Sequence, residues 1–249
     1  MAFLDALTAV PAAALNLIVP PLCLSCRKPI TEPRNLCADC WRDLGLISRP
    51  ICDITGAPLA FDAGPGARSP ELRWNHPLYD KARAATVFSD TSRRLVHALK
   101  FHDTPGVAPL MARLMAPAIA DLAEEADVIV PVPLHRSRLA ARKFNQAVAI
   151  ADALSPLVGK PVDRFSLARI RATAKQSGLR HTDRADNLDR AFAVTAPDKI
   201  RGKSVLVVDD VLTSGATADA IALALKGAGA SLVYVAVFAK VVGGAAEPV

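Results

Sequence analysis

One stretch of the chain, SVLVVDDVLTSGAT (204–217), constrains the fold more than any other. Its apolar run at 205–208 is typical of a central strand in a parallel sheet, because such strands are buried on both faces. Asp209 and Asp210 then fall at the carboxyl end of the strand, and the small residues after them form the turn into a helix. Ligands of such sheets bind outside the carboxyl ends of the strands. The stretch therefore predicts a ligand site at a strand–helix junction.

The turn after the two aspartates is suited to bind an anion. The first N–H groups of a helix lack partners within the helix and lie at the positive end of its dipole. Gly215 allows the backbone to approach a ligand, and Thr213, Ser214 and Thr217 supply hydroxyl donors. Two carboxylates would repel an anion unless they bind another part of the same ligand. A ribose 5-phosphate fits, because its hydroxyls can donate hydrogen bonds to the carboxylates while its phosphate binds the turn. The alternative is an ordinary turn in which Thr or Ser caps the helix.

The chain beyond residue 66 alternates between short β-branched runs and long alanine-rich stretches with helical spacing. We predict strands around Val87, Ile129, Val207 and Val235, and helices at 109–125, 145–157 and 217–228. This order predicts an α/β fold, with a mostly parallel sheet covered by helices on both faces. Gly and Pro are frequent at 60–70, so we divide the chain into an N-terminal module at 1–66 and an α/β domain at 67–249. No internal repeat is apparent.

Four of the five cysteines form two C-x2-C pairs separated by ten residues, namely Cys23, Cys26, Cys37 and Cys40. Four thiolates with no open position describe a structural zinc site. Two disulfides or an iron–sulfur cluster are the alternatives, and disulfides are typical of secreted chains, which nothing in this sequence indicates. Cys52 has Thr55 where a further pair would need a cysteine. We interpret Cys52 as a buried spare thiol or as a replacement ligand.

The charge of the chain is unevenly distributed. The net charge is +6, and residues 134–190 contain twelve Lys or Arg against five Asp. This excess predicts a polyanionic partner, with a solvated basic surface as the alternative. The apolar N-terminus at 1–23 contains Asp5 and ends after two prolines, so we expect an amphipathic helix rather than a signal peptide or a membrane span. A cytoplasmic protein is expected.

The stretch VLVVDDVLTSGAT (205–217) resembles the signature with which type I phosphoribosyltransferases bind phosphoribosyl diphosphate (PRPP). Together with the N-terminal cysteines and the segments VPVPLHRSRLAARKFNQA (130–147) and KQSGLRHTDRADNLDRAF (175–192), it is similar to the ComF family of competence-related proteins. The resemblance implies a small N-terminal zinc ribbon followed by a type I phosphoribosyltransferase-like domain. Because Thr55 replaces a cysteine, it also implies a single metal cluster rather than a double one.

The resemblance further implies roles for individual residues. Asp209 and Asp210 would hold the ribose 2- and 3-hydroxyls, and Mg2+ would accompany the diphosphate. The catalytic residues would be Asp209, Asp210, Arg136 and Arg138, the two arginines neutralising the leaving pyrophosphate. The PRPP-binding residues would be Val211, Leu212, Thr213, Ser214, Gly215, Ala216, Thr217, Arg142, Arg180 and Arg184, the last two on a flap at 176–187. His135 in the pyrophosphate loop is a candidate general base.

Two functions follow from the resemblance. The first is an Mg-dependent enzyme that transfers phosphoribose from PRPP to an acceptor with release of pyrophosphate. The second is a competence-related protein that handles single-stranded DNA with other competence proteins and uses PRPP binding for regulation. A sensor that binds PRPP without turnover is a third possibility. No signature in the sequence identifies the acceptor.

Overall fold

A computed structural model of the chain describes residues 20–73, 76–101, 106–135, 144–171 and 191–243. These residues form six strands: β1 (Lys81–Val87), β2 (Val128–Pro131), β3 (Leu167–Arg169), β4 (Phe192–Val194), β5 (Ser204–Leu212) and β6 (Leu232–Lys240). Four of them make a parallel sheet, as predicted, and their order in the sheet is β1-β6-β5-β2. The antiparallel pair β3–β4 was not predicted, because each of its strands is only three residues long.

The helices are α1 (Ala38–Asp43), α2 (Asp90–Phe101), α3 (Val107–Ala118), α4 (Ala120–Glu125), α5 (Gln146–Val158) and α6 (Ala216–Gly227). The single helix predicted at 109–125 is wrong, since the chain leaves helical geometry at Ile119, two residues after Pro117. The polar helix α2 was not predicted. Within the described residues, every helix is too short or too polar to cross a membrane.

Helices cover both faces of the parallel sheet, which confirms the predicted α/β architecture. On one face, Leu95, Met111 and Ile150 of α2, α3 and α5 pack together with buried residues of β5 and β6. On the other face, Ile221 and Leu225 of α6 pack on the valines of β5 and β6. Burying a side chain of this size contributes roughly 1.5–3 kcal/mol. Both layers therefore hold β5, the strand that leads to the candidate site, in the centre of the fold.

Short segments outside the named strands continue the sheet at both edges. Beside β1, the Ile47 N–H donates to the Ala85 carbonyl at 2.9 Å, and the Val87 N–H donates to the Gly45 carbonyl at 2.8 Å. Beside β2, the Ile129 N–H donates to the Pro161 carbonyl at 2.8 Å. The N-terminal module is thus joined to the sheet by main-chain hydrogen bonds as well as by packing.

The N-terminal module contains an internal repeat, so the prediction of none is wrong. The segments PLCLSCRKPI (21–30) and PICDITGAPL (50–59) both form a tight loop closed by an antiparallel bridge, from Leu22 to Pro29 and from Ile51 to Pro58. Only Pro, Cys and Pro are identical at matching positions, which is too little for the repeat to be recognised from sequence. The first loop carries Cys23 and Cys26.

Candidate functional site at the carboxyl edge of the sheet

The two aspartates lie near the carboxyl end of β5, which continues beyond them to Leu212. Side chains alternate between the faces of a strand, so the neighbouring carboxylates leave β5 in different directions. Asp210 forms an ion pair with Lys100 of α2, with 2.9 Å between Oδ2 and Nζ. The Asp209 carboxylate accepts a hydrogen bond from the Asp210 N–H at 2.9 Å. Asp210 is therefore already paired, whereas Asp209 has no cation within ion-pair distance among the described residues.

The environment of Asp209 favours its protonated form. Burial and, second, the charge of Asp210 raise the pKa of Asp209 to about 7, although the Asp210 N–H and the charges of Lys100 and Arg169 oppose that rise. Carboxyl groups with a pKa near neutrality are frequent in binding and catalytic sites. The geometry thus provides one carboxyl group that changes its charge near neutral pH, next to a second one held by a lysine.

The turn that follows β5 leaves its hydroxyl groups available. Gly215, with φ of 83°, is the N-cap of α6, and it supplies no side-chain cap. The alternative in which Thr or Ser caps this helix is therefore wrong. In the described part of the chain, the hydroxyls of Thr213, Ser214 and Thr217 have no hydrogen-bond partner, and all five residues from Thr213 to Thr217 are partly exposed. Hydroxyls and the first N–H groups of α6 can both bind an anion there.

The neighbouring strand β2 ends at the same edge. The Val132 N–H donates to the Val208 carbonyl at 2.9 Å, and the Asn145 side chain donates to the Val132 carbonyl at 2.9 Å. The same Asn145 side chain accepts from the Ala147 N–H at 3.0 Å and so caps α5. Next to it, Gln146 is buried and its Nε2 has no partner among the described residues. Asn145 thus ties the end of β2, where the predicted pyrophosphate loop PVPLHRSR (131–138) begins, to the start of α5.

Several predicted site residues lie outside the described residues, namely Arg136, Arg138, Arg142, Arg180 and Arg184. The described residues on either side of the predicted flap lie close together, since the Ile170 N–H donates to the Ala191 carbonyl at 2.8 Å. The guanidinium of Arg169 lies over the Phe192 ring, 5.4 Å from its centre. The β3–β4 pair therefore holds the base of the segment that carries Arg180 and Arg184.

Sequence reasoning missed two cations near the aspartates, Lys100 and Arg169. Lys100 forms the ion pair with Asp210, and the charges of both cations lower the pKa of Asp209 against the effect of burial. Lys100 gave no signal in the sequence, because α2 itself was not predicted. Together these two cations offset part of the negative charge of the two aspartates.

The second candidate site is the cysteine cluster of the N-terminal module. The sulfurs of Cys23, Cys26, Cys37 and Cys40 all lie within 4.8 Å of one another. A tetrahedron with Zn–S bonds of about 2.3 Å has edges of about 3.8 Å, so these four thiols fit one zinc ion. All five cysteines are free thiols, which argues against the alternative of two disulfides. Within the described residues, this is the one group of possible ligands close enough for a metal.

The cluster is built by local backbone geometry. The first pair lies on the loop at 23–26, and the second pair lies at the start of α1, where the Cys37 N–H donates to the Cys23 sulfur at 3.3 Å. Burial opposes ionisation of Cys23, but backbone hydrogen bonds outweigh it and lower the pKa of Cys23 to about 7. At Cys26 a backbone hydrogen bond lowers the pKa, but burial and the neighbouring thiols of the cluster outweigh it and raise the pKa instead, since thiolates packed this closely repel one another until a cation such as zinc lies between them. Cys23 and Cys40 also belong to the main hydrophobic core.

Comparison with known proteins agrees with both sites. Residues 14–70 match the double zinc ribbon domain, and residues 97–248 match the phosphoribosyl transferase domain. The chain is 31% identical over 225 residues to DNA utilization protein YhgH of Salmonella typhimurium, which covers 88% of this chain and 96% of that protein. It is 27% identical over 220 residues to competence protein F of Haemophilus influenzae, which covers 86% of this chain and 94% of that protein.

Among solved structures, a purine phosphoribosyltransferase from Pyrococcus horikoshii aligns with 58% of this chain and 80% of its own, at 20% identity and a TM-score of 0.34. The sequence matches are more extensive, since they include both the cysteine cluster and the strand with the two aspartates. The chain therefore belongs to the ComF family, which joins an N-terminal zinc ribbon to a type I phosphoribosyltransferase domain.

Proposed function

We propose that this protein binds PRPP at the carboxyl edge of its parallel sheet and transfers the phosphoribosyl group with release of pyrophosphate. One observation carries the proposal: Asp209 and Asp210 precede a turn whose three hydroxyls have no partner among the described residues, at the start of a twelve-residue helix. Carboxylates accept hydrogen bonds from sugar hydroxyls, while the turn and helix donate to a phosphate. A phosphorylated ribose combines these two demands.

The reaction would break the bond between ribose C1 and the diphosphate oxygen, and the electron pair would leave with pyrophosphate. A nitrogen of the acceptor would form the new bond to C1 and then lose its proton. Positive charge develops on the sugar ring as the bond breaks, so the nearby carboxylates of Asp209 and Asp210 would stabilise that state. The cations Lys100 and Arg169, together with the predicted loop arginines, would stabilise the departing negative charge.

The donor set of the edge also fits a magnesium ion that accompanies the diphosphate. Asp209, Asp210 and the hydroxyls of the turn supply oxygen atoms, the ligands that Mg2+ prefers. When bound with PRPP, this ion would neutralise part of the diphosphate charge. The protein residues alone position the ribose and its 5-phosphate.

The test is a calorimetric titration of the full chain with PRPP in the presence of Mg2+, followed by an assay for pyrophosphate release with a panel of purine, pyrimidine and pyridine bases. We expect saturable binding of one PRPP per chain and release with at least one base. Binding without release from any base would favour a sensor without turnover. No binding of PRPP at millimolar concentration would contradict the proposal.

The names of the relatives favour a second candidate function, the handling of single-stranded DNA. One relative is named DNA utilization protein YhgH and another competence protein F, and this chain has its charge excess at 134–190. If that segment binds phosphates, the logarithm of the affinity for an oligonucleotide should fall linearly with the logarithm of the salt concentration. The slope of this plot should be about −0.7 for each phosphate contacted. A fluorescence anisotropy titration at four salt concentrations measures this slope. An affinity that does not depend on salt would argue against DNA binding.

A further inference from the structure

The second loop of the N-terminal module has the same main-chain hydrogen bonds as the zinc-binding loop. The Cys23 N–H donates to the Lys28 carbonyl at 2.9 Å, and the Cys52 N–H donates to the Ala57 carbonyl at 2.7 Å. A second hydrogen bond is shared as well. The Arg27 N–H donates to the Cys23 carbonyl at 3.0 Å, and the Gly56 N–H donates to the Cys52 carbonyl at 2.9 Å. The residues that donate these bonds, Arg27 and Gly56, share a positive φ of 63° and 65°. The two loops therefore have the same fold.

The likeness extends to the second half of each unit. In each unit, the residue after the first cysteine forms a hydrogen bond to the second half of the unit. The Leu24 N–H donates to the Asn35 carbonyl at 3.1 Å, and the Asp53 N–H donates to the Ala67 carbonyl at 2.8 Å. A short helix follows in each unit, namely α1 after Cys37 and the 3-10 helix Pro70–Arg73, so the second unit extends past the predicted domain boundary at residue 66. Cys37 lies two residues after Asn35, and Ser69 lies two residues after Ala67, so Ser69 corresponds to Cys37.

The second unit therefore has an equivalent for every zinc ligand of the first. Cys23 corresponds to Cys52, and Cys26 corresponds to Thr55. The last two ligands, Cys37 and Cys40, correspond to Ser69 and Leu72, because the helix after each begins one residue later and both pairs have the same spacing. One thiol, two neutral hydroxyls and a hydrocarbon side chain do not make a zinc site, which needs four thiolate, imidazole or carboxylate ligands. The residues present do not fit a second zinc.

A small apolar core occupies the place of the metal. Cys52, Ala57 and Leu72 are all buried and pack together, with Ile54 and Leu59 against them. The Cys52 sulfur accepts a hydrogen bond from the Thr55 N–H at 3.4 Å, within the loop itself. Contacts of this kind hold the loop closed without any ion.

The second loop is also held from outside by the sheet. The Ala82 N–H of β1 donates to the Ile54 carbonyl at 2.7 Å, and the Arg83 guanidinium donates to the Asp53 carbonyl at 2.9 Å. A Cβ atom at Gly56 would lie 2.4 Å from the Ala82 carbonyl oxygen, so only glycine permits this contact. The first loop has arginine at the equivalent position. Docking on β1 thus distinguishes the second unit from the first.

We propose that the second ribbon of this chain is a metal-free unit, in which an apolar core and docking on β1 replace the zinc ion. The chain then carries one zinc, and the second unit is held against the sheet by its own contacts with β1. This inference does not depend on the proposed enzymatic function, because it concerns only the two ribbon units at 21–73.

Metal analysis of the purified full chain tests the proposal. We expect one zinc per chain in the natural protein and in Cys52→Ala, and none in Cys23→Ala. Two zinc ions per natural chain, or a loss of metal in Cys52→Ala, would overturn it. The number of zinc ions per chain in these proteins shows whether the second unit is metal-free, even if the variant in the next test does not fold.

Restoring the ligands tests the equivalence of the positions. The combined variant Thr55→Cys, Ser69→Cys and Leu72→Cys is expected to bind two zinc ions per chain, and Co2+ substitution should double the thiolate-to-cobalt absorption. The same variant with Cys52→Ser is the matched control and should return to one tightly bound ion. A folded triple variant that keeps a single zinc would contradict the assignment of Ser69 and Leu72.

Discussion

The combined change Asp209→Asn and Asp210→Asn is expected to weaken PRPP binding in the presence of Mg2+ by about 10²- to 10⁴-fold. Each carboxylate would accept a charge-assisted hydrogen bond from a ribose hydroxyl, worth about 1.5–3 kcal/mol, and a neutral amide would lose most of it. Calorimetry measures the change in affinity. If the affinity of the variant is within threefold of that of the natural protein, neither aspartate takes part in PRPP binding.

The stability of this variant separates a binding role from a structural one. Because the folded state raises the pKa of Asp209 above the ordinary value of 3.8, the folded chain holds that proton more tightly than the unfolded chain does. This contribution is fully present below the unfolded pKa and is lost as pH rises through about 7. Asp209→Asn should therefore not destabilise the chain at pH 8. Thermal unfolding of the two single variants provides the measurement.

The pH dependence of binding has the opposite sign. The ionised Asp209 accepts the hydroxyl hydrogen bonds, so PRPP affinity should rise with pH up to about 7 and remain constant above it. The phosphates of PRPP also titrate, but they do so equally for every variant. The ratio of affinities between the natural protein and Asp209→Asn isolates the carboxyl group, and this ratio should grow from pH 5.5 to pH 7.5.

A matched control removes the same amount of charge elsewhere. Asp198 and Glu124 are exposed acids outside the candidate site. The variant Asp198→Asn with Glu124→Gln has the same net charge as the double aspartate variant and should bind PRPP as the natural protein does. A loss of affinity in this control would show that net charge, rather than the two aspartates at the end of β5, determines binding.

Replacing Cys23 and Cys26 with serine should remove the zinc and destabilise the whole chain. Cys23 and Cys40 are buried in the core that also contains Leu24, Leu44 and Leu95 of α2. Exposing two or three such side chains costs about 5 kcal/mol, which lowers the Tm of a chain of this size by roughly 10–20 °C. Metal analysis and thermal unfolding by circular dichroism measure both effects.

Chelation gives a second route to the same prediction without substitutions in the cluster. Trp41 lies in α1, and its indole N–H donates to Asn35 at 3.2 Å, so its fluorescence reports the state of the ribbon. In a Trp74→Phe background, Trp41 is the sole tryptophan. A zinc chelator should shift its emission to longer wavelength. Unchanged emission and an unchanged Tm after complete zinc removal would show that the metal does not hold the ribbon in place.

The sequence predicted the parts of the fold that depend on local patterns. The apolar run of β5 and the strands around Val87, Ile129 and Val235 were confirmed, because each is largely buried and appears in the sequence as a short run of mostly apolar residues. The two C-x2-C pairs predicted the metal cluster for a similar reason, since all four ligands lie close in the chain. Helix α2 was missed, because its sequence DTSRRLVHALKF is mostly polar.

Contacts between distant segments account for what was missed at the candidate site. Lys100 and Asp210 form an ion pair although more than a hundred residues separate them in the sequence, and no local pattern predicts such a pair. The cap of α6 was likewise left open by the sequence, since Ser and Thr beside a helix start are often caps, whereas Gly215 takes that position here. Cys52 and Thr55 were recognised as an incomplete cysteine pair, but the rest of the second ribbon was not, because its likeness to the first lies in backbone hydrogen bonds rather than in side chains.

The segments at 45–47 and 161–163 also bear on the solubility of the protein. The outer strand of an open sheet presents unpaired N–H and C=O groups, to which a strand of another molecule can add. Here the chain places its own backbone against β1 and β2, and thereby protects both outer strands from self-association. A phosphoribosyltransferase domain cut away from its ribbon would lose that cover along β1 and would become prone to aggregation.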